Sequence, residues 1–69
     1  MYVMKIKGSG KIPNYIQLRD DDFALISYFK ANAYVNALAK DNIQEYTNDI
    51  AEIIDDMDYG ELYYIKTKN

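Results

Sequence analysis

The sequence predicts an α+β domain, a small antiparallel sheet in the element order β-β-β-α-α-β with two helices packed on one face. Three observations carry that class. Two early stretches alternate apolar and polar residues with period two on either side of a glycine turn. A later stretch spaces its apolar residues as a helix does, and a last short stretch alternates again. With 69 residues in all, the expectation is one domain over residues 1–69.

Each element has its own signal. Residues 2–7 put Tyr2, Met4 and Ile6 on one side and Val3, Lys5 and Lys7 on the other, the pattern of a half-buried strand. Gly8-Ser9-Gly10 is a turn. Pro13 lacks an amide donor and belongs at the entry to the next strand. Residues 14–20 then alternate Ile16 and Leu18 against Tyr15, Gln17 and Arg19, which completes a hairpin.

Residues 19–40, RDDDFALISYFKANAYVNALAK, allow two readings. A helix capped by Asp22 and running from Phe23 to Lys40 would align Phe23, Ile26, Phe29, Ala33 and Ala37, but it leaves Tyr28 and Val35 on the opposite side. The alternative makes Asp20-Asp21-Asp22 a turn of small polar residues and residues 23–29 a third strand, with a helix from after Asn32 to about Lys40. Phe, Ile and Tyr favour the strand, and that is the reading adopted.

Ile43, Tyr46, Ile50, Ile53, Ile54 and Met57 form one apolar helical stripe. Asp41 or Asn42 can cap its start, with Glu45 in capping-box position after Asn42. The end is expected near Met57, with Gly60 supplying a left-handed residue beyond it. Residues 62–68 alternate as the last strand, Tyr63 and Ile65 against Leu62, Tyr64, Lys66 and Lys68.

Composition narrows the function classes. A hydrophobic share of 49% with 14% aromatics suffices for one small core and argues against disorder. The chain has no cysteine and no histidine, which removes disulfides, thiolate metal sites and the usual nucleophile–base pairs. No apolar run approaches a membrane span, and MYVMKIKGSGK has neither the apolar core nor the cleavage site of a signal peptide. A cytoplasmic protein with no membrane partner is expected. The abundance of Ile, Lys, Asn and Tyr with a single arginine, Arg19, is the usage of an AT-rich genome.

Two motifs that invite a chemical reading fail on spacing. IIDDMDYGELYYI, residues 53–65, fails as a calcium loop with Gly60 at its sixth position, because Met57, Tyr59 and Lys66 fall where acidic or amide oxygen ligands are needed. GSGK, residues 8–11, has Ile12 where a phosphate loop needs a hydroxyl and Lys5 where it needs glycine. No catalytic residue, cofactor site or metal site is therefore assigned, and an enzyme is not expected.

Charge is segregated within a net −3. Residues 1–19 carry Lys5, Lys7, Lys11 and Arg19 and no acid. Residues 20–61 carry all eleven acids against Lys30 and Lys40, and residues 62–69 add Lys66 and Lys68. Such a pattern bears on partners rather than on fold. Glu45, Asp49, Glu52 and Asp56 make an acidic stripe at helical spacing, with no Lys or Arg between Asp41 and Ile65 to offset it. It is either a solvated face or a docking stripe for a basic partner, a divalent cation, or a site that normally holds nucleic acid, as in a nucleic-acid mimic.

The sheet supplies the second candidate. If Ile6, Ile16, Leu18, Leu25 and Ile65 face the helices, the open side carries Lys5, Lys7, Tyr15, Arg19, Ile26, Tyr28, Tyr64, Lys66 and Lys68. Two helices cover one side only, so Tyr15, Arg19, Ile26, Tyr28, Tyr64 and Lys66 form a candidate partner or dimer face. Tyrosine suits interfaces, having an apolar body and a polar tip. Aromatics among basic groups also suit single-stranded nucleic acid. Contact with a second copy or another protein is the preferred expectation and nucleic acid the alternative.

KIPNYIQLRDDDFALISYFK, closing later with MDYGELYYI, resembles small uncharacterised proteins of low-GC Gram-positive bacteria and their prophages. The resemblance spans most of the chain through general pattern. It implies a phage or prophage accessory protein, and no activity that passes to a residue.

Overall fold

The computed structural model describes residues 1–68. Strands β1 (Tyr2–Ile6), β2 (Tyr15–Arg19) and β3 (Leu25–Lys30) form an antiparallel meander. Helices α1 (Tyr34–Lys40) and α2 (Thr47–Ile53) follow, each entered through a short 3-10 turn. Strand β4 (Leu62–Tyr64) returns antiparallel beside β1, giving the sheet order β3-β2-β1-β4. The α+β class and element order are those the sequence predicts.

The turns explain the strand boundaries. Ser9 and Ile12 exchange backbone hydrogen bonds of 3.1 and 2.9 Å, and the chain doubles back so tightly that a β-carbon on Gly8 would stand 2.0 Å from the Ile12 carbonyl oxygen. Only glycine fits there. Asn14 steadies the same loop by accepting the Gly8 amide at 2.8 Å. Between β2 and β3, the Asp20 carboxylate accepts the amides of Asp22 and Ala24, both at 2.9 Å. A short aspartate side chain mimics a backbone turn in this way, and the long-helix reading of residues 23–40 is thereby excluded.

The core lies between one face of the sheet and the helices. Met1, Val3, Ile16, Leu18 and Phe29 meet Leu38 from α1 and Tyr46, Ile50, Ile54 and Met57 from the second helical segment. Among the described residues Ser27 is the buried polar exception, and its hydroxyl donates to Asp41 at the end of α1, tying β3 to that helix.

Several expectations about local structure need correction. Strand β1 presents the opposite face: Val3, fully buried, pairs with Leu18 and Tyr63, so Val3 and Lys5 point at the helices while Tyr2, Met4 and Ile6 lie on the open side. Leu25 is 53% exposed, not core. The register shifts between Leu18 and Arg19, so Leu25 and Ile26 together oppose Arg19 in a β-bulge, and the alternation slips by one residue. The second helix has no side-chain cap; Asn42 takes a left-handed φ of 61° instead. Its regular hydrogen bonding ends sooner than expected, at Ile53, although the amides of Asp56 and Met57 still reach the Ile53 carbonyl. Gly60 has the expected positive φ, 80°, but it serves the approach to β4, donating its amide to the Lys5 carbonyl at 2.8 Å.

Candidate functional site

The open face of the sheet carries the largest set of exposed apolar side chains. Rows follow from the register. Leu25 and Ile26, Arg19, Tyr2 and Tyr64 run across one end; Tyr28, Gln17, Met4 and Leu62 cross the middle; Lys30, Tyr15 and Ile6 cross the other end. Phe23, Leu25, Ile26, Tyr28, Leu62 and Tyr64 are each between 40 and 56% exposed.

The rings on this face are ordered by one another. Tyr15 and Tyr28 stack with centroids 4.8 Å apart, and Tyr2 meets both Phe23 and Tyr64 edge to face at 5.7 and 5.2 Å. Arg19 lies over the Phe23 ring at 4.8 Å and donates to the Phe23 carbonyl at 3.0 Å. Phe23 itself has a φ of 68°. A bulky residue in the left-handed region is strained, and here the Asp20 turn, the guanidinium and Tyr2 hold it on the open face.

Of the residues predicted for this face, Tyr15, Arg19, Ile26, Tyr28 and Tyr64 are brought together on it, Ile26 at the bulge. Lys66 is exposed but lies beyond the end of β4. Lys5 and Lys68 belong to the other side. Tyr2, Met4, Ile6, Phe23, Leu25 and Leu62 were not predicted there. The alternation of β1 contained the first three, had its lysines not pointed to the wrong face.

The acidic stripe is not free along its length. Lys68 folds back over α2, where its amide donates to the Tyr46 hydroxyl at 2.7 Å and its ammonium to the Glu45 carbonyl at 2.9 Å. The ammonium also pairs with Asp49 Oδ2 at 2.7 Å, an oxygen otherwise closed to solvent. Glu45, Glu52 and Asp56 remain exposed. The offsetting lysine missing from the local sequence thus comes from the chain's far end.

A second cluster joins the two ends of the chain. The Met1 ammonium donates to Asp21 Oδ1 at 2.7 Å, to the Ile65 carbonyl at 2.9 Å and to the Thr67 hydroxyl at 3.2 Å. That ammonium holds the Asp21 carboxyl below its ordinary 3.8. The Tyr64 phenol is pushed above its ordinary 10.0, first by partial burial and then by Asp21 beside it. Lys68 is raised above 10.5, chiefly by Asp49.

These directions set a pH profile. As pH falls, the unfolded chain protonates Asp21 before the folded one does, so that contribution is present above 3.8 and is lost as pH drops below it. As pH rises, the unfolded chain deprotonates Tyr64 and Lys68 first, so stability declines once pH passes 10.0 to 10.5. Urea midpoints measured across pH are expected to show a plateau between those limits. Asp21→Asn should flatten the acid limb and Lys68→Met the alkaline limb; limbs unchanged in both variants would refute the assignment.

No family model, characterised protein or solved structure matches the chain, so its residues alone carry a functional reading. No helix among the described residues is long and apolar enough to cross a membrane.

Proposed function

We propose that the protein is a non-catalytic interaction module, an accessory protein of a low-GC bacterium or its prophage, that works through protein–protein contacts and pairs with a second copy through its open sheet face. The observation that carries this reading is the one-sided sheet. Helices cover one face, and the other exposes six large apolar side chains around ordered tyrosines.

The area is of the right size. Half-exposed side chains of this kind present roughly 100 Å² each, so the patch offers on the order of 600 Å² before its polar rim is counted. Monomers rarely expose contiguous patches larger than a few hundred Å², and a standard interface buries about 800 Å² per partner. The face also suits self-contact because its rings are already ordered, which lowers the entropy lost on docking.

Nucleic acid is less favoured. Arg19 is engaged by Phe23, the tyrosines pack on one another, and the chain is net acidic. Docking of a basic partner on the acidic stripe is weakened by Lys68, which already neutralises Asp49.

Sedimentation equilibrium at micromolar concentration is expected to give about twice the 8.1 kDa chain mass. Tyr28→Lys combined with Leu62→Lys should return a monomer whose circular dichroism is unchanged. A wild-type monomer under those conditions removes the reading. Salt-sensitive binding of an oligonucleotide, weakened by Tyr28→Ala or Arg19→Ala, would replace it with the nucleic-acid alternative.

A further inference from the structure

On the covered side of the sheet, Lys5 is the one charged side chain contributed by a strand residue. Its ammonium donates to the Ile54 carbonyl at 2.8 Å, and the residue lines a cleft of about 300 Å³ between the start of α1 and the end of α2. Ala31 and Ala51 line the cleft without filling it, and Asn32, Tyr34 and Asp55 bring polar groups to it. A second hollow of about 260 Å³ continues past Asn32 toward Pro13.

Several of these groups have hydrogen-bonding capacity to spare. An ammonium has three donors, and Lys5 spends one on a protein acceptor. The side chains of Asn32, Tyr34 and Asp55 make no hydrogen bond among the described residues. The cleft thus holds a half-buried cation, a carboxylate, an amide and a phenol, at the small end of the size range for ligand sites.

The pairing of signs selects the ligand. A simple anion drawn to Lys5 would lie near the Asp55 carboxylate, and a simple cation drawn to Asp55 would lie near the Lys5 ammonium. Each would meet one attraction and one repulsion. A small molecule bearing both charges meets two attractions.

We propose that this cleft binds a free α-amino acid, its carboxylate toward Lys5 and Asn32 and its ammonium toward Asp55. The site lies across the sheet from the self-association face and does not depend on it.

The test is a nuclear magnetic resonance titration of the full chain with each of the common amino acids, and with acetate and methylammonium as single-charge controls. At least one amino acid should give saturable shifts at Asn32, Tyr34 and Asp55 at millimolar concentration, with both controls far weaker. Asp55→Asn and Asn32→Ala should each weaken that binding about tenfold, the size of one charge-assisted or polar contact. Neither side chain carries a structural hydrogen bond, so these variants keep the fold. The proposal is overturned if no amino acid produces saturable shifts, if acetate binds as well as the best amino acid, or if Asp55→Asn binds like the wild type.

Discussion

Leu38→Ala is expected to remove about 3 kcal/mol of folding stability, the largest loss from any single truncation in α1. Leu38 is fully buried and is the one buried side chain that this helix contributes. It fills the space where α1, α2 and the sheet converge, so no neighbour can close over the void without moving a backbone segment. A chain of this length has a total stability of roughly 3–10 kcal/mol, so the variant should be largely unfolded or close to its midpoint in water. Urea denaturation followed by far-ultraviolet circular dichroism measures it. Val35→Ala, in the same helix at 52% exposure, should change stability by about 0.5 kcal/mol or less. Equal effects for the two would mean that α1 does not anchor through Leu38.

Where the sequence was legible, local pattern and burial agreed. Strand β2 is the clearest case: Ile16 and Leu18 are fully buried, and Tyr15, Gln17 and Arg19 beside them are not. The apolar stripe from Ile43 to Met57 likewise marks the side of α2 that packs on the sheet. Strand β1 misled because a lysine on the core side reads as a solvent residue, whereas its long apolar stem can lie against the core and carry the charge to a carbonyl. Leu25 misled for another reason, since one inserted bulge residue shifts the alternation of everything before it in the strand. The contact between Lys68 and Asp49 had no local signal at all. It exists because β4 ends beside β1 and sends the chain's end across α2, a consequence of topology that no window of neighbouring residues contains.

The same limit explains the acids that crowd the end of α2. Asp55, Asp56 and Asp58 follow the helix at its negative pole, where like charge is unfavourable, and the nearby sequence holds no base. A positive charge does reach that pole, from Lys5 of β1, although it forms no ion pair with an aspartate among the described residues. Lys5 donates to the Ile54 carbonyl at 2.8 Å and lies 5.0 Å from the centre of the Tyr59 ring, so it meets a helix carbonyl, the helix dipole and an aromatic face at once.

Lys5→Met, which keeps the apolar stem and removes the charge, is expected to cost about 2 kcal/mol in urea denaturation, the range for a hydrogen bond from a charged donor. Lys7→Met is the control, because Lys7 is exposed and stands 6.0 Å from the same ring without a carbonyl partner; it should cost under about 0.5 kcal/mol. The backbone bond from the Gly60 amide to the Lys5 carbonyl is untouched by either change, so β1 keeps its place in both. Adding Asp55→Asn to Lys5→Met should recover part of the loss by relieving repulsion that the lysine no longer balances. The same substitution in the wild type should not stabilise the protein. A double-mutant cycle with no coupling between Lys5 and Asp55 would mean that Lys5 acts at the Ile54 carbonyl alone, and that the aspartates are balanced by solvent rather than by the strand beneath them.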